Sequence, residues 1–498
     1  MSANKDVSVI KENDVWLRIQ TDQPNITEEL SDYFEIEIPN AQYTPAYKKR
    51  VWDGKVRLFH KRTGRIYVGL LTEIRDFLKK SGYSYVLDNT LREYIEQKTY
   101  DSKEFDEFIS ELNLPYEPYD YQKNAFEAII NSKRRIILSP TGSGKSLIIY
   151  LVIRFLLQEQ FFPIVLIVPT IGLTTQMYND FQDYSKNNGW NVEDNVHVIA
   201  EGSSRNSNKP ISVSTWQALY DQPKDFFQKF SVVIVDEAHT AQAQSLKRIL
   251  EGATETDYRI GLTGTLKDTK THIMTIKGLL GDIERVSETR DLQYRGILSN
   301  IKIAMISFEY PNLDKQQARN LSYQDESKYI ITHQKRNERI VKLASVMEKN
   351  TLVLTSFVEN HGKPLYEEIS KINPETYFVD KDTPKDERER IRQIAEERNG
   401  VVIVASYQVF STGVNIKNLH NIIFAFMGKS KIRLLQSIGR GLRQHAEKDK
   451  LYVYDFADNL SFEGKNHSMK HMEERYRIYA SEGFDVSYRT YDLSRKSL

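Results

Sequence analysis

No cysteine occurs among the 498 residues, which excludes disulfides and cysteine-ligated metal centres and fits a reducing, cytoplasmic setting. No run of 18 apolar residues is present either, so no membrane-spanning helix is expected. Met1 to Asn13 is polar and mixed in charge, without the apolar segment of a secretory leader. Net charge is scarce as well: 69 basic against 68 acidic residues leave +1. A balance so close to zero names no polyanionic partner, and only segregation of the positive charge can. What is abundant is length, more than one hydrophobic core usually supports, so two to four domains are expected.

The charge is segregated. Between Tyr43 and Ile66 stand eight basic residues, Lys48, Lys49, Arg50, Lys55, Arg57, Lys61, Arg62 and Arg65, against one acid, Asp53. Tyr43, Tyr47, Trp52 and Phe59 are interleaved with them. Basic residues among aromatics can neutralise phosphates while offering stacking or wedge surfaces, which points Lys48, Lys49, Arg50, Lys55 and Arg57 at nucleic acid. A small β-rich domain with a solvated basic face and an aromatic core is the other reading. Around the window, Val15–Ile19 and Lys55–Phe59 alternate like strands, Asp53-Gly54 is a hairpin signal and Leu71–Ser81 has helical spacing. Residues 1–90 are therefore expected to form a small α+β nucleic-acid-binding domain, with 91–118 as a linker.

From Tyr119 the pattern becomes alternating strand and helix. Apolar runs at 135–138, 164–168, 196–199, 211–215, 232–235 and 258–262 are separated by helix-length segments, and a second series runs from 301–308 to 451–456. This predicts two doubly wound α/β domains in tandem, 119–295 and 296–460, each with a parallel sheet covered on both faces. An extension, 461–498, follows; it either packs on the second domain as a cap or lengthens a nucleic-acid track. His467 and His471 stand there at helical spacing, without a third residue to complete a metal site.

Between the first strand and its helix lies Ser139-Pro140-Thr141-Gly142-Ser143-Gly144-Lys145-Ser146. Backbone N–H groups converging on a triphosphate need glycine conformations and a helix N-terminus. Thr141, Gly142, Ser143 and Gly144 supply the wrap, Lys145 reaches the β and γ phosphates, and Ser146 can hold Mg²⁺. Ser139 replaces the first glycine of the general pattern. The strand 232–235 ends in Asp236-Glu237-Ala238-His239, which the topology places beside that loop. Asp236 is suited to Mg²⁺ and Glu237 to the attacking water. ATP and Mg²⁺ are the cofactors expected.

Taken together, these motifs make residues 119 to about 456 resemble superfamily 2 helicases of the DEAH-lettered type, whose fold is a pair of RecA-like domains. The resemblance implies that Tyr119 and Gln122 read adenine, that His239 couples to Leu262-Thr263-Gly264-Thr265, and that Thr170, Thr215, Ser356 and Thr412 hold the nucleic-acid backbone. Gly413 belongs to the family's fifth motif, in which Asn415 stands where Asp is usual. Gln436-Ser437-Ile438-Gly439-Arg440-Gly441-Leu442-Arg443 matches its sixth. Arg440 and Arg443 would point from one helix face at the γ-phosphate, with Gln436 beside them. Tyr43-Thr44-Pro45, Trp52–Leu58, Leu173–Met177, Ser406–Gly413 and Lys429–Ile432 are similar to the phage UvsW-type recombination helicases. That likeness implies an ATP-dependent DNA helicase of branched DNA, acting in Holliday-junction branch migration, fork regression and D-loop or R-loop unwinding, with recombination or single-strand-binding proteins as partners. A monomeric motor is expected, because one chain contains the whole ATP site. An RNA-directed ATPase on the same core is the alternative, and a non-enzymatic ATP-gated clamp is disfavoured by the intact Lys145, Asp236, Glu237, Arg440 and Arg443.

Overall fold

The computed structural model describes residues 5–96, 98–199, 204–240, 244–266, 269–407, 416–428 and 450–494. The chain divides into two compact units, 1–139 with 144–286, and 287–498 with 140–143. Among the described residues no helix is long and apolar enough to cross a membrane.

The first unit begins with β1 (Val7–Lys11), β2 (Trp16–Gln20), β3 (Glu35–Glu37), β4 (Lys55–Arg57), β5 (Arg65–Tyr67) and β6 (Tyr85–Leu87). Four of these make a mixed sheet in the order β5-β2-β1-β6, and β3 pairs with β4 antiparallel. The expected tight hairpin at Asp53-Gly54 is not what forms. β3 and β4 are joined by a 17-residue excursion, residues 38–54, that folds as its own short helical turns, and Gly54, at φ +83°, only closes it by accepting from Ile38 N at 2.8 Å. The predicted helix 71–81 is present as Leu71–Lys80.

This small sheet is keyed to the helix Lys270–Leu280 and to its neighbours in the same unit. A side chain on Gly69 would lie 2.0 Å from the Lys277 carbonyl oxygen, and one on Gly278 would lie 2.7 Å from the Tyr67 ring, so both glycines are needed for the approach. Tyr67 donates to Glu251 at 2.6 Å, Lys277 pairs with Glu73, and Arg134 donates to the Tyr94 hydroxyl at 2.8 Å. The stretch 91–118 forms the helices Asn89–Ile95 and Ser102–Glu111. Phe105, Phe108, Ile109 and Leu112, at helical spacing, are buried in the main core.

The large sheet of this unit contains β7 (Arg134–Leu138), β8 (Ile164–Val168), β9 (Val196–Ile199), β10 (Ile211–Thr215), β11 (Val232–Asp236), β12 (Tyr258–Thr263) and β13 (Asp282–Arg285). All pairings are parallel in the order β13-β7-β12-β11-β8-β10-β9. β8 and the apolar part of β11 are buried throughout, as a sheet covered on both faces requires. Arg259 of β12 is buried as well. It donates to the carbonyls of Leu250, Ala253 and Leu279 at 2.6–2.9 Å, placing a cation on the carboxyl ends of two helices.

The second unit repeats the plan with β14 (Asn300–Glu309), β15 (Thr351–Thr355), β16 (Thr376–Val379), β17 (Val402–Ser406), β18 (Asn421–Phe424), β19 (Lys450–Asn459) and β20 (Asp485–Asp492). Its order is β16-β17-β15-β18-β19-β14-β20, again all parallel. Two tandem RecA-like α/β domains with a small N-terminal α+β domain, the expected fold class, is what forms. Beyond residue 460 the chain adds the helix His467–Ser481 and returns as β20 at the sheet edge.

Candidate ATP and nucleic-acid site

The phosphate loop and the acid tetrad meet through one residue. β7 and β11 flank β12, so the ends of all three strands lie side by side. At the end of β12, the Thr263 carbonyl accepts from Ser139 N at 3.0 Å. Its hydroxyl lies 2.9 Å from His239 Nδ1, 3.4 Å from Glu237 Oε2 and 2.9 Å from the Thr265 carbonyl. The Ser139 departure thereby acquires a physical account: its N–H ties the start of the loop to β12, a task that needs no glycine.

Past Ser139 and Pro140, Thr141, Gly142 and Ser143 make the turn, and Gly144 caps the helix Lys145–Gln158. Gly142 and Gly144 take φ +88° and +77°, the left-handed region that favours glycine. Gly144 also faces Gln122, whose Nε2 would lie 2.4 Å from any Cβ placed there. The Gln122 amide is shared within the site: its oxygen accepts from Tyr119 N at 2.9 Å and its nitrogen donates to the Gly144 carbonyl at 3.4 Å. Tyr119 is half exposed, with its ring stacked on Tyr121 at 5.7 Å. Lys145 donates to the Ser139 carbonyl at 3.2 Å, and the Ser146 hydroxyl lies 2.9 Å from that of Tyr184.

Asp236 ends β11 and accepts from Glu237 N at 2.9 Å. Burial, reinforced by the Glu237 carboxylate, raises its carboxyl above the usual range, while Lys145 opposes the rise. Glu237 sits at φ +54°, a conformation that costs a side-chain-bearing residue roughly 1–2 kcal/mol. That turn swings its carboxylate to within 3.2 Å of His239 Nδ1. Asp236, Glu237, His239, Lys145, Gln122 and the loop are thus brought into one cluster at the carboxyl edge of the sheet.

The residues expected to hold nucleic acid are spread more widely. Thr170 lies two residues beyond β8 and Thr215 ends β10, and their hydroxyls cap the next helices by accepting from Leu173 N and Ala218 N, both at 3.3 Å. Ser356 is exposed at the end of β15. The basic window is split by its partners. Lys55 pairs with Glu35 at 2.5 Å, Arg57 with Asp53 and Glu35 at 2.5 and 2.9 Å, Arg65 with Glu12 at 2.5 Å, and Lys61 with Glu28. Lys48, Lys49 and Arg50 are exposed and have no carboxylate partner among the described residues. Thr412, Gly413, Gln436, Arg440 and Arg443 lie outside the described residues. Sequence reasoning missed Tyr184 as the partner of Ser146 and Thr263 as the partner of Ser139; nothing in the local pattern announces contacts made 38 and 124 positions away.

Three family profiles match in order. They are the N-terminal domain of the DNA helicase UvsW over residues 6–88, the res subunit of type III restriction enzymes over 115–268, and the helicase conserved C-terminal domain over 334–445. The ATP-dependent DNA helicase uvsW of Enterobacteria phage T4 is 34% identical over 485 residues, covering 93% of this chain and 95% of its own. A DNA 3'-5' translocase of Sulfurisphaera tokodaii is 25% identical, with 84% of this chain and 94% of that protein covered. The crystal structure of T4 UvsW matches with a TM-score of 0.52 at 32% identity, over 98% of this chain and all of that one. On this identity and coverage, and with the phosphate loop and acid tetrad placed as a helicase needs them, the chain belongs to the UvsW family of ATP-dependent DNA helicases.

Proposed function

We propose that this chain hydrolyses ATP to move DNA strands, and that its substrates are branched: Holliday junctions, regressing forks, D-loops and R-loops. The observation that carries the ATP-driven part is the Thr263 bridge, which joins the phosphate loop to Glu237 and His239 in one hydrogen-bonded unit. In this reading Lys145 neutralises the β and γ phosphates, the loop N–H groups cradle them, and Tyr119 with Gln122 receives the adenine. Glu237, fixed by its left-handed turn, orients the attacking water and takes its proton, and the buried His239 and Thr263 hold that carboxylate in place.

Ser146 and Asp236, a hydroxyl and a carboxylate, are hard oxygen donors of the type Mg²⁺ prefers, and a carboxyl held above its usual range by burial is one that a cation would ionise. When bound, Mg²⁺ would offset charge on the phosphate oxygens. Gln436, Arg440 and Arg443 are assigned to the γ-phosphate, and Gly413 to the nucleotide. Thr170, Thr215, Ser356 and Thr412 are assigned to the DNA backbone. Lys48, Lys49 and Arg50 supply the phosphate contacts of the N-terminal domain. Lys55 and Arg57, already neutralised by Glu35 and Asp53, contribute less. We place this action in the cytoplasm, as a monomeric motor working beside recombination or single-strand-binding proteins.

Steady-state ATP hydrolysis tests the reading with no nucleic acid, single-stranded DNA, duplex DNA, a four-way junction and single-stranded RNA at one salt concentration. Strongest stimulation by forked or four-way DNA is expected. Stimulation by RNA alone would move the chain to the RNA-directed class, and no turnover with any of them would leave an ATP-gated clamp.

A further inference from the structure

We propose that the loop 41–51 of the N-terminal domain is a strand-separating wedge, with the Tyr43 ring stacking on the last base pair of a duplex where its strands part. The inference rests on the DNA-helicase reading and adds to it a contact that the helicase motifs do not supply. Three large apolar side chains stand exposed within nine residues, Tyr43 at 70%, Tyr47 at 40% and Val51 at 76%. Single exposed apolar residues are ordinary on protein surfaces. Three of them around Lys48, Lys49 and Arg50 are a different surface, apolar at the tip and cationic beside it.

The charges have no internal use. Elsewhere in the basic window, Lys55, Arg57, Lys61 and Arg65 each meet a carboxylate. Along residues 48–50 none is met among the described residues, and exposed cations placed so are available to phosphates. Charge complementarity therefore selects a polyanion, and the exposed rings select one with stacked faces. A duplex end at a junction presents both; a closed duplex presents only phosphates.

The loop is also built to hold its shape. Asn40 and Arg50 bracket it in left-handed conformations, φ 64° and 56°. The Thr44 hydroxyl donates to the Ala41 carbonyl at 2.7 Å and accepts from Tyr47 N at 3.4 Å. Lys48, Lys49, Arg50 and Val51 donate their N–H groups back to Thr44, Pro45, Tyr47 and Ala46 at 2.9–3.1 Å. Below the tip, Trp52 Nε1 donates to the Lys55 carbonyl at 2.8 Å, and Gly54 packs closely under Ala41 and the Tyr47 ring, so that an added Cβ would lie 2.9 Å from Ala41 Cβ and 3.2 Å from that ring. Trp52 is thus a structural prop, Tyr47 backs onto Gly54 while keeping 40% of its surface exposed, and Tyr43, at 70%, is the ring held furthest outward. A wedge of this kind offsets unstacking of the junction pair by stacking on the base it exposes, and pre-organisation lowers the entropy lost on contact.

The test uses the full chain with Tyr43→Ala and Tyr43→Trp, and reads three quantities. These are ATP hydrolysis stimulated by single-stranded DNA, strand displacement on a forked duplex, and the fluorescence of 2-aminopurine placed at the fork. Tyr43→Ala is expected to slow displacement on the order of ten-fold and to abolish the protein-induced fluorescence change, while single-strand-stimulated hydrolysis stays within about two-fold. Tyr43→Trp should restore both. Displacement that is unchanged in Tyr43→Ala, or lost in step with hydrolysis, overturns the wedge, as does failure of the tryptophan variant to restore it. If the unsubstituted chain displaces no strand and is not stimulated by any DNA, the helicase reading itself fails; displacement at equal rates by it and by Tyr43→Ala sinks the wedge alone.

Discussion

At the carboxyl edge of the first seven-stranded sheet, the half-buried Asp236 is met by Glu237 N and feels the opposing charge of Lys145, and its carboxyl is held above the usual range. At the same edge of the second sheet, β19 carries Asp455 and Asp458, both fully buried, and each has its own arginine and tyrosine. Arg475 and Tyr479 reach Asp455 at 2.8 Å, and Arg336 and Tyr310 reach Asp458 at 2.8 Å. One architecture therefore treats carboxylates at the sheet edge in two ways. Where chemistry is expected, charge is left under-compensated, so that a cation and a phosphate can complete it. Where none is expected, the charge is closed from within, and Arg475 and Arg336 also bond the carbonyls of Gly428 and Ala425, locking β18 and the chain beyond it to the sheet.

Removing one group from each edge should have opposite consequences for stability and turnover. Asp458→Ala strands the fully buried Arg336 and is expected to destabilise the second unit by about 3–5 kcal/mol, read from denaturant unfolding. Lys145→Ala should leave that unfolding untouched and lower DNA-stimulated turnover by about 10²- to 10³-fold, with DNA binding largely intact. An Asp458→Ala chain as stable as the parent would refute the closed network. A Lys145→Ala chain that loses DNA binding and turnover equally would make the loop a structural element.

Protons sharpen the contrast with a smaller effect. His361 is buried against Arg336, and burial together with that guanidinium pushes its imidazole down to about 3. Unfolded, the same ring titrates near 6.5. Between those values the unfolded chain takes a proton that the folded chain refuses, so stability present above pH 6.5 is lost as pH falls towards 3. The slope is at most about 1.4 kcal/mol per pH unit, or about 2 kcal/mol between pH 6.5 and 5. His361→Gln should flatten that part of the stability profile; an identical slope in parent and variant would mean that this ring is not refused its proton.

How legible these features are in the sequence depends on how local their causes are. The phosphate loop reads from eight consecutive residues, because φ values of +88° and +77° call for Gly142 and Gly144 wherever the fold places them. Eleven of the twelve strands expected from Arg135 onward could be anticipated to within a residue or two at either end, since apolar runs between helices have one economical packing; β19 extends three residues beyond its apolar run. β13 and β20 are polar edge strands, whose letters alternate with too little apolar content to stand out. The helix Ser102–Glu111 hides its apolar stripe, Phe105, Phe108 and Ile109, under an acidic surface that reads as linker. Least legible are the ion pairs. Arg336 finds Asp458 across 122 positions, and Glu35 finds Lys55 across 20, so counting cations in the basic window overstates the charge available to DNA.

The smallest expected effect isolates the bridge in the first unit. Thr263→Val keeps the main-chain carbonyl that holds Ser139 N and the shape of the side chain, but removes the hydroxyl that joins Glu237, His239 and the Thr265 carbonyl. A neutral hydrogen bond contributes about 1 kcal/mol, so kcat for DNA-stimulated hydrolysis should fall by about five-fold with KM for ATP nearly unchanged. Glu237 remains held at φ +54° by its backbone, which is why the loss stays small. An unchanged kcat would mean that the backbone alone orients the carboxylate. A loss as large as that of Lys145→Ala would mean that the hydroxyl contacts the reacting water itself, and the open edge of the first sheet would then extend one strand further than β11.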